Sequence, residues 1–303
     1  MAIYTEPTSS ISIRFPSTNS MNTRRTFIKG VGSASTLTLL GSCKEKPNTI
    51  ILAPDSTQRK KVNALLISAT TNPGQKSLEH AHEMIVDTFG TAKRILLINF
   101  ASLPEKRDSY AKRMRAEFSK IGPGYDMYSL NEFDLFECAE AVNTADGFYV
   151  SGGNTFLLLK ELYDRELVGL IQKRALAGTP YIGSSAGANI GGQVIGATND
   201  FPLVDIPTRR SLGLLGAVYN PHHPDPEIDK TQFDARQWKI GEYAAHNRDE
   251  AVVGVTNSGM LRIRGDKVYL AGIGATAFIH RNDDRFVVHS TLEDLGRIFA
   301  ASD

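Results

Sequence analysis

The stretch Thr179-Pro180-Tyr181-Ile182-Gly183-Ser184-Ser185-Ala186-Gly187-Ala188-Asn189 decides the fold. An apolar run enters it, small residues fill its middle, and Ser185 stands at the apex. This composition reads as strand, sharp turn and helix, a nucleophile elbow of the G-x-S-x-G type. The turn is strained, so a bulky neighbour would collide with the strand or the helix, and glycine or alanine is needed on both sides. The Ser185 hydroxyl is then held at the carboxyl end of a sheet, over a helix N-terminus whose free N–H groups can bind an oxyanion. A Gly/Ser-rich turn that binds phosphate, or simply turns, has the same composition and stays open at this point.

The sequence on either side supports the sheet. Apolar strands are predicted over 62–68, 94–100, 125–130 and 147–151. Helices are predicted over 76–89, from 104 to 120, over 132–142 and from Asn154 onward. Continuous apolar strands separated by helices predict an α/β fold, with a mostly parallel sheet covered on both faces. Beyond about residue 212 the strands shorten, at 252–255, 260–263, 267–270 and 276–279, and are joined by Asn-Ser-Gly and Gly-Asp turns. They predict an antiparallel C-terminal extension of the same sheet. No composition break divides 62–303, which reads as one domain.

Charge is nearly balanced, with 34 Lys+Arg against 33 Asp+Glu. No basic run interleaves with aromatics, which argues against nucleic acid as a partner. A hydrophobic content of 41% fits a globular chain.

The N-terminal segment has a different character. Arg24-Arg25 leads into a short, weakly apolar segment that ends in Leu40-Gly41-Ser42-Cys43. About ten apolar and small residues fall short of the roughly 20 that span a bilayer. Residues 21–43 read as a twin-arginine export signal with a lipobox, lipidated at Cys43. Residues 1–20 would lie upstream of the true start, and 44–61 would form a tether. The expected location is periplasmic or cell-surface, with the membrane contacted only through the lipid. Cys138, the other cysteine, then has no partner and reads as a small buried hydrophobe.

A serine nucleophile needs a base, an orienting group and oxyanion donors. His80 and His82 lie two apart in a predicted helix and point to different sides. His246, His280 and His289 fall at element ends, where solvated or core histidines are common. His222, in Asn220-Pro221-His222-His223-Pro224-Asp225, follows an apolar run at a likely strand end, where open α/β sheets place their sites. A metal reading of His222, His223 and Asp225 is a rival, although adjacent histidines flanked by prolines chelate poorly. Asp200 supplies a carboxylate shortly after the elbow helix, and an exposed turn is its alternative. Ser151-Gly152-Gly153-Asn154-Thr155 would let backbone N–H groups approach the elbow. Neither G-x-G-x-x-G nor a Walker pattern is present to support a nucleotide-binding turn.

Four segments together resemble peptidase E, the α-aspartyl dipeptidase family of serine peptidases. They are Gly152-Gly153-Asn154-Thr155-Phe156, Tyr181 to Asn189 around Ser185, Thr198-Asn199-Asp200-x-Pro202, and Asn220-Pro221-His222. The similarity runs from about residue 62 to beyond 280. It implies a fold like that of class I glutamine amidotransferases, with serine in place of cysteine at the elbow. It also implies Ser185 as nucleophile, His222 as base, Asp200 as its partner, and the Gly153 and Ala186 N–H groups as oxyanion hole. Arg236 matches an arginine in the family and is the candidate cation for an acidic side chain, and Asn154 is a second substrate-binding candidate. Neither metal nor organic cofactor is implied. Two positions depart from the family. Ser184 stands where tryptophan is frequent, and Thr256-Asn257-Ser258-Gly259 lacks a glutamate that some members carry in this region, which leaves Asp200 as the carboxylate.

These features lead to the expectation of an exported serine dipeptidase or exopeptidase acting on short peptides, with N-terminal aspartate preferred. The alternatives are a cyanophycinase-like hydrolase of aspartyl-arginine peptides, whose histidine motif differs from Asn-Pro-His, and a lipoprotein that binds peptides without turnover.

Overall fold

A computed structural model describes residues 54–122, 124–282, 284–289 and 294–296. All of these belong to one compact unit, Lys46–Asp303. The expected export signal, Cys43 and most of the expected tether lie outside the described residues. The described end of that tether is already part of the domain, because Pro54 is buried and its carbonyl accepts a hydrogen bond from Arg59.

Five parallel strands form the centre of the molecule. They are β1 (Asn63–Ile67), β2 (Arg94–Ile98), β3 (Asp126–Ser129), β4 (Gly147–Val150) and β5 (Tyr181–Ser184). Each reads as an apolar run because both faces are covered. In β1, Ala64 and Leu66 face one core while Leu65 and Ile67 face the other, and β2 alternates in the same way. On one side the cover is α1 (His82–Phe89) and α2 (Pro104–Ile121), through Ile85, Phe89, Met114 and Phe118. On the other side it is α3 (Cys138–Thr144), α4 (Thr155–Asp164) and α5 (Val168–Leu176). Cys138 is fully buried in that second core, as its apolar setting predicted.

The C-terminal strands divide between two sheets, which corrects the expectation of one continuous extension. β8 (Met260–Arg264) and β9 (Lys267–Ala271) extend the main sheet antiparallel, giving the order β3-β2-β4-β5-β1-β8-β9. β6 (Val218–His223), β7 (Val252–Thr256), β10 (Thr276–Arg281) and β11 (Asp284–His289) form a second sheet in the order β11-β10-β7-β6. Side-chain burial explains the split. Val253, Val255, Ala277 and Ile279 share the α3–α5 core, whereas Val218 and Val252 pack with Ile240 of α7 (Lys230–His246) on the other side. These strands therefore form a layer of their own between the main core and α7. The strand after the elbow also begins later than the apolar run suggested, at Val218, and Leu214 to Ala217 form buried irregular chain.

The strand order sets the position of the site. β5 lies between β4 and β1. The chain leaves β1 toward the α1 side and leaves β4 toward the α4 side, so a crevice opens beyond their carboxyl ends. Ser68, Gly152-Gly153 and Ser185 all lie at that edge.

Candidate active site

Ser185 links β5 to the short helix α6 (Ala186–Asn189) with φ of +51° and ψ of −109°. A non-glycine residue holds such a conformation at a cost of about 1–3 kcal/mol, which the surrounding structure must offset. Here Ser185 N donates to Ile67 O at 3.0 Å, and Gly187 N donates to Ser151 O at 3.2 Å. A Cβ on Gly187 would fall 2.2 Å from Val150 O, so only glycine lets the helix sit this close to β4. The elbow expected from composition is present.

His222 faces the serine. Its Nε2 lies 2.8 Å from Ser185 Oγ. The histidine backbone is also strained, at φ of +55°, and is held from two sides. His222 N donates to Ser68 Oγ at 2.8 Å, and Ser68 Oγ donates to Val255 O at 2.8 Å. Asn199 Nδ2 donates to Pro221 O at 2.9 Å. Sequence reading alone did not single out Ser68, whose signal was a polar residue ending an apolar strand beside the elbow strand.

The other ring nitrogen corrects the expected triad. His222 Nδ1 lies 2.8 Å from Asn257 Oδ1, in the turn after β7. An imidazole that accepts the serine proton at Nε2 carries its own hydrogen on Nδ1, which needs an acceptor, and the amide oxygen of Asn257 supplies one. Asp200 is engaged elsewhere. Its Oδ2 accepts from Thr155 N at 2.7 Å and from Thr155 Oγ1 at 2.6 Å, at the start of α4. The N-terminus of α4 claims this carboxylate. Asn257 is a neutral amide in a polar turn, and only the packing of β7 against β6 brings its oxygen to the imidazole.

Gly152 and Gly153 run alongside the elbow. A Cβ on Gly152 would lie 3.0 Å from Ser185 Cβ. Gly153 has φ of +139°, and a Cβ there would meet Ala101 O at 2.3 Å, so the turn requires glycine on both counts. Among the described residues, no hydrogen bond takes up the N–H of Gly153 or of Ala186. Asn154 caps α4, with Oδ1 accepting from Leu157 N at 3.0 Å and Nδ2 donating to Phe201 O at 2.8 Å. Both polar side-chain atoms thus take part in holding the loop.

Arg236 lies on α7, behind the histidine loop. It is half-buried, and burial lowers the guanidinium below its ordinary value. Arg236 Nη1 donates to Asn220 Oδ1 at 2.9 Å, and Asn220 Nδ2 donates in turn to Asn199 Oδ1 at 3.0 Å. The arginine also lines a cavity of about 250 Å³ together with Thr198, Asn199, Lys239 and Tyr243. Ser185 and His222 are not part of that lining.

His223, the rival metal ligand, turns away from His222. Its ring stacks on Phe278 at 4.6 Å between centroids, and its Nδ1 donates to Pro224 O at 2.9 Å. Gln237 bridges it to His280, with Nε2 at 3.4 Å from His223 Nε2 and Oε1 accepting from His280 Nε2 at 2.5 Å. Burial depresses both imidazoles to about 4, so they are neutral at pH 7. This arrangement makes His223 a buried support of the histidine loop.

Ser184 is fully buried, with its hydroxyl 3.2 Å from that of Tyr149. It belongs to the floor of the elbow and not to an open pocket wall.

Comparison with known proteins places the chain in a family. The model of peptidase family S51 matches residues 64–271. Peptidase E of Shewanella amazonensis is 34% identical over 214 residues, covering 70% of this chain and 88% of the relative. Peptidase E of Nostoc sp. is 32% identical over 209 residues, covering 69% and 85%. The crystal structure of a peptidase from an acI-B1 actinobacterium shares the fold, with a TM-score of 0.55 and 17% identity over 77% of this chain and 97% of that one. The match to the family model spans both the elbow and the histidine loop, and the chain belongs to peptidase family S51 and is a serine-type peptidase.

Proposed function

We propose that this protein is an exopeptidase for short peptides, with Ser185 as nucleophile, His222 as general base and Asn257 orienting the imidazole. The carrying observation is the 2.8 Å contact of Ser185 Oγ with His222 Nε2 on a strained elbow. In attack on a peptide carbonyl, the Ser185 oxygen bonds to carbon while its proton passes to His222 Nε2. The carbonyl oxygen becomes an oxyanion, for which the unused N–H groups of Gly153 and Ala186 are the proposed donors. The C–N bond then breaks, the leaving amine takes the proton from His222, and water hydrolyses the acyl-enzyme by the same route. The imidazolium is met by a neutral amide dipole, as in hydrolases that use a Cys-His-Asn set.

The preferred substrate in this reading carries an N-terminal aspartate. Arg236 supports it, being a half-buried guanidinium bonded to Asn220, two residues before His222. An acidic side chain leaving water needs such a cation. The test is hydrolysis of an X-Leu dipeptide panel by the purified protein. Cleavage with Asp-Leu foremost supports the reading. Cleavage of other dipeptides only removes the aspartyl preference, and binding without turnover points to a peptide-binding protein.

The same proposal includes export and anchoring. The motif Arg24-Arg25 and the run Leu40-Gly41-Ser42-Cys43 support it. Cys43→Ala should release the protein from membranes in its host. Recovery of the unsubstituted full chain in the cytoplasm, with 21–43 intact, would discard it.

A further inference from the structure

Asp200 reaches across 45 residues to Thr155, taking both its backbone N–H and its hydroxyl. Thr155 is the first residue of α4 and stands two positions after Gly153. The neighbours of Asp200 reinforce the link. Phe201 O accepts from Asn154 Nδ2 at 2.8 Å, and Thr198 Oγ1 donates to Thr155 Oγ1 at 3.3 Å. On its other flank, Asn199 Nδ2 holds Pro221 O, next to His222. Residues 198–201 therefore form a strap that grips the start of α4 through Thr198, Asp200 and Phe201, and the histidine loop through Asn199.

We infer that Asp200 is a positioning residue for the oxyanion turn. Its carboxylate fixes the N-terminus of α4 and so holds the Gly152-Gly153 turn against Ser185. The chemistry suits this role. A carboxylate accepting an N–H and an O–H at 2.7 and 2.6 Å makes charge-assisted bonds, which are stronger than neutral ones, and it lies at the positive end of a helix dipole. An oxyanion donor is effective only when held in place before charge develops, so whatever fixes the turn sets the rate. The other half of the machinery has its own support, because His222 is oriented by Asn257 and Ser68. The two halves can therefore be disturbed separately.

The inference rests on Ser185 as nucleophile, and the test separates the two. The probe is diisopropyl fluorophosphate, whose phosphoryl oxygen enters an oxyanion hole without any side-chain recognition. In its reaction the Ser185 oxygen bonds to phosphorus, fluoride leaves, and the serine proton passes to His222. The rate at saturation (kinact), the half-saturation concentration (KI) and the pH profile are measured on the full chain by mass spectrometry. Asp200→Ala should lower kinact by about 10²-fold, the scale of a lost oxyanion donor. KI should barely move, and the acid limb of the pH profile should stay where it is. Asp200→Asn and Thr155→Val keep the shape of the site and should show the same pattern more weakly, which covers the case in which Asp200→Ala does not fold. An acid limb displaced by Asp200→Asn would overturn the inference, because Asp200 would then act on His222. Unchanged kinact in all three variants would overturn it as well. A wild-type protein inert to the probe, or labelled outside Ser185, would instead sink the nucleophile assignment on which the inference rests.

Discussion

The Nδ1 of His222 lies 2.8 Å from the amide oxygen of Asn257, 35 residues further along the chain. An amide in this place orients the imidazole and selects its tautomer without contributing a charge. General-base assistance is worth about 10²–10⁴-fold in rate, so Asn257→Ala should cost at least the lower figure. Asn257→Asp should move the acid limb of kcat/KM to higher pH, because a carboxylate beside the ring favours imidazolium. Profiles of the two variants on one dipeptide check the pairing. An acid limb that Asn257→Asp leaves in place would show that the residue does not act on His222.

Ser185 and His222 should behave as one unit. Each alanine substitution is expected to reduce peptide hydrolysis by roughly 10⁴-fold or more, and the double variant should be little worse than either single one. The comparison needs the three turnover numbers at a single pH. Full additivity would mean that the 2.8 Å contact does not carry the reaction.

Substituting Arg236 should separate specificity from chemistry. Arg236→Met is expected to lower hydrolysis of Asp-Leu by roughly 10²-fold, the scale of a desolvated charge that has lost its partner. An uncharged X-Leu substrate should be affected far less. Because Arg236 also bonds Asn220, two residues before His222, an equal loss on both substrates would identify it as a support of the histidine loop.

Acid should destabilise the fold through His223 and His280. Burial depresses both rings from 6.5 to about 4, so the unfolded chain binds protons that the folded one refuses. Their contribution to stability is complete above pH 6.5 and is withdrawn as pH falls toward 4. Thermal midpoints measured from pH 7 to 4 should fall steeply, and His280→Gln should flatten the fall. A wild-type curve that stays level across this interval would show that neither ring is held neutral.

The chain itself determined the elbow and the parallel centre of the fold. Each depends on local rules, namely small residues where a strained turn needs them and unbroken apolar strands where both faces are covered. Tertiary structure decided the rest. Separating β6, β7, β10 and β11 from the main sheet depended on which faces they bury, against α3–α5 on one side and α7 on the other. The partner of His222 was decided in the same way. Asp200 and Asn257 both lie in polar turns, and composition favours the acid. Hydrogen-bond geometry reverses that choice, because the N-terminus of α4 captures Asp200 while the turn after β7 brings Asn257 to the imidazole. Spacing along the chain says which residues reach the crevice. Which unfilled donor each one meets there is settled only when distant segments pack.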